Sequence, residues 1–127
     1  MKIMLDTNAI VWSHIKPSKL GKRTTQKLQE ATTIYFSPLT FFEWLQKGSV
    51  SGRAATDLIE STIAIGLEEL PLTYRAVLEA KRFGNLRGRD PMDMLILAQA
   101  ANEGVDLYTS DMELLGMGLD FVKDSTL

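Results

Sequence analysis

"KIML" at residues 2–5 is a short apolar run that stops on an acid, Asp6, and "TNAIVWSHI" at 7–15 then turns helical. The first piece reads as a buried strand and the second as a helix with Ile10, Val11 and Ile15 inward. The same alternation recurs outward along the chain. "TIYF" (33–36) is β-branched and aromatic and reads as a second buried strand. In "SPLTFFEWLQKG" (37–48), Ser37 suits an N-cap, Pro38 the first helical position and Gly48 the stop. "TDLIESTIAIG" (56–66) is a helix with Leu58, Ile59, Ile63 and Ile65 as core candidates, and "LEELPL" (67–72) is a strand cut off by Pro71. "TYRAVLEAKRFG" (73–84) starts at a Thr73 cap and ends at Gly84, with Ala76, Val77, Ala80 and Phe83 on one face. "GVDLYTSD" (104–111) holds a strand over 105–109, "DMELLGMG" (111–118) a short helix, and "LDFV" (119–122) a last edge strand.

Two helical stretches complete the pattern. "KLGKRTTQKLQEA" (19–31) is a thin amphipathic helix that Gly21 weakens at its start, and "RDPMDMLILAQAA" (89–101) is apolar on almost every side. Short strands alternating with helices indicate an α/β fold, in layers, with a mostly parallel central sheet of four to five strands flanked by helices. The 127 residues fit one domain spanning 1–127. There are no cysteines, so disulfides and thiolate metal sites are excluded, and a reducing compartment such as the cytoplasm is expected. No run approaches the ~20 apolar residues of a membrane span, so no membrane association is expected.

Net charge is -2, from 14 basic and 16 acidic residues, which does not by itself mark a nucleic-acid binder. One segment departs from the average: "KRFGNLRGR" (81–89) carries Lys81, Arg82, Arg87 and Arg89 and no acid. It reads either as a solvated helix end or as a grip on a phosphate backbone.

The acids are more telling. In a parallel α/β sheet the working site lies beyond the carboxyl ends of the strands. Asp6 and Asp111 follow the first and fourth expected strands, so both project over one rim, although each also suits an N-cap. Glu43 lies among Phe41, Phe42, Trp44 and Leu45 on a helix that starts at a strand's carboxyl end. The apolar stripe Leu39, Phe42, Trp44/Leu45 leaves it room to face outward beside Thr40. Asp90 reads as an N-cap before Pro91, and Asp93 as the third helical residue of a capping-box-like start. Local helix physics explains those two, but not four acids from distant segments at one rim. Carboxylates forced together repel unless a cation sits among them. Oxygen ligands without His or Cys point to magnesium or manganese, a cation able to activate water and to stabilise a phosphoryl transition state.

"MLDTNAI", "SPLTFFEW", "RDPMDMLILAQA" and "LYTSD", in this order and spacing, resemble the PIN-domain ribonucleases, in particular the VapC toxins of toxin–antitoxin pairs. The resemblance runs from Ile3 to about Leu119. It implies a three-layer PIN-like fold and a magnesium- or manganese-dependent endoribonuclease. It also implies a catalytic and metal-binding quartet of Asp6, Glu43, Asp93 and Asp111, with Asp90 as a further candidate ligand. Thr7, Asn8, Thr109 and Ser110 become candidate supports of the quartet or substrate contacts, and Arg87 and Arg89 candidate RNA contacts. A cognate antitoxin and a homodimer are the implied partners. Helices 37–48 and 56–66, which carry surplus apolar residues, are the expected groove for the antitoxin. This sequence departs from the VapC-like "D-P-F-D-R" version at Met92 and Met94. It also has Leu86, Arg87 and Arg89 where many relatives place a histidine. Two other readings remain: a structure-specific DNA nuclease, and a non-catalytic nucleic-acid-binding module on the same scaffold.

Overall fold

The computed structural model describes residues 1–47, 49–50, 53–85 and 87–127. The expected helix stop at Gly48 and the departure at Leu86 lie outside the described residues. Strand β1 (Lys2–Leu5) feeds helix α1 (Thr7–Ile15), a 3-10 turn (Pro17–Lys19) and α2 (Lys22–Glu30). Strand β2 (Thr33–Phe36) leads into α3 (Pro38–Lys47), a short antiparallel hairpin of β3 (Ser49–Val50) and β4 (Arg53–Ala54), and α4 (Ala55–Ala64). Then come β5 (Glu68–Glu69), α5 (Tyr74–Glu79) running into a 3-10 turn (Ala80–Phe83), α6 (Pro91–Glu103), β6 (Asp106–Thr109), α7 (Met112–Leu115) and β7 (Val122–Asp124).

Five strands form one sheet in the order β5-β2-β1-β6-β7, every neighbouring pair parallel. Successive strand residues face opposite layers. Ile3 and Leu5 therefore join Ile10, Val11, Trp44 and Leu58 on one face, while Met4 between them joins Phe83, Met94, Leu97 and Leu114 on the other. The result is three layers, with α1 to α4 on one side and α5 to α7 on the other. No helix among the described residues is long and apolar enough to cross a membrane.

The strand order sets the site. From β1 the chain builds outward through β2 to β5, then returns to β6 on the other side of β1. The reversal leaves a crevice between the carboxyl ends of β1 and β6, where ligands bind in sheets of this kind. Asp6 follows β1 there and Asp111 follows β6.

Several sequence expectations need correction. The last strand is Val122–Asp124 rather than 119–122: the Leu119 carbonyl accepts from the Val122 N–H at 3.2 Å in a turn, and Phe121 meets β6 only through its carbonyl, which accepts from the Leu107 N–H at 2.8 Å. On α3 the inward residues are Thr40 and Trp44, while Phe42 and Leu45 are exposed. On α4 Thr62 is buried in place of Ile63 and Ile65, its hydroxyl donating to the Leu58 carbonyl at 2.7 Å. Val77 lies outside, while Ala76, Ala80 and Phe83 are buried as expected. His14 is partly buried, and its Nε2 lies 3.2 Å from the Thr62 hydroxyl, tying α1 to α4.

Gly21 has a packing role beyond its weak helix propensity. The Leu127 main-chain oxygen accepts from the Thr24 N–H at 2.9 Å and the Thr24 hydroxyl at 3.0 Å, serving the first turn of α2. A methyl group on Gly21 would overlap the main-chain carbonyl of Leu127. Gly21 has an ordinary φ of -72°, so Gly21→Ala would ordinarily be neutral or mildly stabilising. Here the overlap with backbone decides the sign. Gly21→Ala is expected to destabilise the protein by about 1–3 kcal/mol, seen as a lower urea midpoint at unchanged m-value.

Candidate functional site

A cleft of about 200 Å³ opens at the crevice, lined by Asp6, Thr7, Asn8, Glu43, Lys47, Asp90, Asp93 and Asp111 over a floor of Ile96 and Leu114. The four segments expected to converge therefore do so, and Asp90 joins them.

Each acid is placed by local physics. Asp6 caps α1, its Oδ1 accepting from the Ala9 N–H at 2.8 Å, while the Thr109 hydroxyl donates to its Oδ2. Thr109 is fully buried and also accepts from the Asp111 N–H at 3.0 Å, so one side chain ties the two strand-end acids together. Asp111 caps α7 through Oδ1, with Glu113 N–H at 2.8 Å and Leu114 N–H at 3.3 Å. Asp90 caps α6 in the same way, with Met92 N–H at 2.8 Å and Asp93 N–H at 3.3 Å. Capping and site-building are thus compatible: each cap uses Oδ1, and all three acids still line the cleft. Caps at the starts of α1 and α6 also bring two positive helix ends to the same rim.

Glu43 is held from the neighbouring helix. The Thr7 hydroxyl donates to its Oε1 at 3.3 Å and lies 3.1 Å from the Thr40 hydroxyl. Thr7 has one proton and gives it to Glu43, so Thr40 must be the donor to Thr7. Behind this, Ser37 Oγ accepts from the Leu39 N–H at 3.1 Å and donates to Gln99 Oε1 at 2.6 Å. Gln99 Nε2 in turn donates to the Leu70 carbonyl at 2.8 Å. This buried chain fixes the start of α3, which carries Glu43, against α6, which carries Asp93.

The electrostatics are those of acids held close. Burial pushes the Asp6 carboxyl up to about 6, with the charges of Asp111 and Glu43 adding to the rise and the Thr109 and Ala9 hydrogen bonds opposing it. Asp93 is pushed up to about 7, first by burial, then by the charges of Asp90 and Asp111, a hydrogen bond to Asp111 and the charge of Glu43. Oxygen donors alone, with two acids reluctant to ionise, suit a hard divalent cation. Among the described residues no three acids are already gathered around a common point. They line an open cleft.

Other expected contacts fall differently. Thr7 and Thr109 are hydrogen-bond supports of acids, whereas Asn8 is exposed in the cleft wall. Ser110 is half-exposed and outside the lining, as are Arg87 and Arg89. Arg89 Nη1 instead meets Glu113 Oε1 at 3.2 Å. The residue that sequence reasoning passed over is Lys47. Its signal was the four-residue spacing from Glu43, which puts both on one helix face.

The PIN-domain profile matches residues 3–117, and the chain belongs to the PIN-domain family, a family of nucleases. Among solved structures it is similar to VapBC-1 from nontypeable Haemophilus influenzae, with a TM-score of 0.74, 18% identity, and 100% of each chain covered. It is also similar to DNA-bound VapBC from Salmonella typhimurium, with a TM-score of 0.71, 20% identity and 98% of each chain covered. VapBC2 from Rickettsia felis, bound to a DNA fragment from its promoter, gives a TM-score of 0.69 at 19% identity, covering 97% of this chain and 96% of that one. No curated protein matches by sequence.

Proposed function

We propose that the protein is a divalent-metal-dependent endoribonuclease, the toxin of a toxin–antitoxin pair, acting as one PIN unit over residues 1–127. The observation that carries the reading is the single cleft at the strand-order reversal, lined by five carboxylates from four separate segments. Asp6, Glu43, Asp93 and Asp111 would hold magnesium or manganese, with Asp90 at the edge. When bound, such a cation acidifies water and stabilises charge on a phosphoryl group. The protein's own part is positional. Thr109 orients Asp6 towards Asp111, Thr7 and Thr40 orient Glu43, and Asn8, in the cleft wall, would meet the strand, with Ser110 outside the lining. Arg87 and Arg89 lie outside the cleft lining and would meet the strand's backbone only beside it, Arg89 on leaving Glu113.

For the antitoxin, the exposed apolar side chains Phe42, Leu45 and Ile63 on α3 and α4 are the proposed seat. Trp44 and Leu58, on the same two helices, are fully buried within the chain itself and serve its core. The similarity to VapBC structures supports this partner, and a pair of toxin copies is proposed alongside it.

The test is cleavage of single-stranded RNA and DNA with magnesium or with EDTA. RNA cut only with magnesium is the expected result. Preference for DNA would favour the DNA-nuclease reading, and no cleavage of either would favour a binding module.

A further inference from the structure

The acid cleft has a single cation in its lining among the described residues, Lys47, facing the carboxylates of Asp6, Glu43, Asp90, Asp93 and Asp111. Lys47 ends α3, one turn beyond Glu43, with Nζ 4.0 Å from Glu43 Oε2. At that distance the ammonium is outside hydrogen-bond range, so its three donors are not committed to Glu43. The Lys47 side chain is 62% exposed and that of Glu43 21%, so the head group is largely hydrated. A helical pair of this spacing contributes only about 0.2–0.5 kcal/mol, too little for stability to be the main consequence of a lysine here. Its placement has a larger electrostatic consequence. A polyanion entering a wall of carboxylates is repelled, and the nearby arginines do not offset this from within the lining, Arg89 being engaged with Glu113.

We propose that Lys47 is the phosphate-gripping residue of the cleft: loosely paired with Glu43 in the substrate-free protein, it donates to a non-bridging phosphate oxygen of the bound strand. The inference rests on the nuclease reading above. A lysine suits the task because its compact charge rides on a flexible stem and can change partners without a fixed geometry. The contact is made with substrate before and during reaction alike, so it governs KM more than kcat.

The experiment uses the full chain carrying Asp93→Asn to suppress cleavage, in saturating magnesium, with a single-stranded oligoribonucleotide titrated across a salt series. Adding Lys47→Met is expected to weaken binding about tenfold and to make the slope of log K against log salt shallower by about 0.7, one phosphate's share on a single strand. Lys47→Arg should restore most of both. On the cleaving protein, Lys47→Met should raise KM and leave kcat within about twofold. A merely structural lysine would move the melting temperature and not the salt slope. An unchanged slope in Lys47→Met, with the parent binding RNA, overturns the role of Lys47 alone. A parent that binds no RNA overturns the nuclease reading and this inference with it.

Discussion

Asp93→Asn is expected to lose at least about a hundredfold in RNA cleavage while making the metal-free protein more stable. The two effects share one cause. Asp93 is half-buried beside Asp90, Asp111 and Glu43, and its carboxyl is pushed up to about 7 because the ionised form is disfavoured there. At pH 8 that form is nevertheless imposed on the folded protein. An amide removes the charge, and its N–H can donate to Asp111 as the protonated carboxyl does. After discounting for solvent at a half-exposed group, the gain is about 1 kcal/mol, or a rise of about 4 °C in Tm with EDTA at pH 8. A cleaving Asp93→Asn protein would remove Asp93 from the site. A variant that neither cleaves nor gains stability would point to a misfolded cleft instead.

Magnesium is expected to raise the Tm strongly at pH 8 and little at pH 5. Asp6 titrates near 4 in the unfolded chain and at about 6 in the fold, and Asp93 at about 7. Between these values the folded protein holds protons that the unfolded chain has lost, so stability falls as pH rises from about 4 to 7. For Asp6 alone, the rise from near 4 to about 6 corresponds to a destabilisation of about 3 kcal/mol, absent below pH 4 and fully felt above its folded pKa. A divalent cation among the carboxylates reverses the repulsion and favours their ionised forms. Scanning calorimetry with magnesium or EDTA at the two pH values checks this. Equal shifts at both would show that binding does not involve the raised acids.

How much of this was legible in the sequence depends on whether a residue's position is set locally. Asp6, Asp90 and Asp111 each end an apolar strand or open a helix, so their places could be read from a few neighbours. Glu43 and Asp93 needed the layer order as well, because only the sheet brings α3 and α6 to one rim. The helix faces were read less well. Thr40 and Thr62 are buried because their hydroxyls find partners in Thr7 and the Leu58 carbonyl, which propensity does not register. Phe42, Leu45 and Ile63 stay outside although they are apolar. The β3–β4 hairpin has two-residue strands, too short for a period of two to appear. The pairing of Arg89 with Glu113 joins residues 24 apart and left no local mark.

The central place of β1 also has a consequence for synthesis. Asp6 precedes the other acids of the cleft in the chain, but its strand is flanked on one side by β6, and Thr109, which orients it, comes 103 residues later. A growing chain can therefore carry Asp6 and Glu43, and even Asp93, without possessing the cleft. The order of the strands is thus a delay between making the first acid of the cleft and completing it. The ribosome must release β6 and Thr109 before the site can assemble, so a partner already present can meet the chain as it folds.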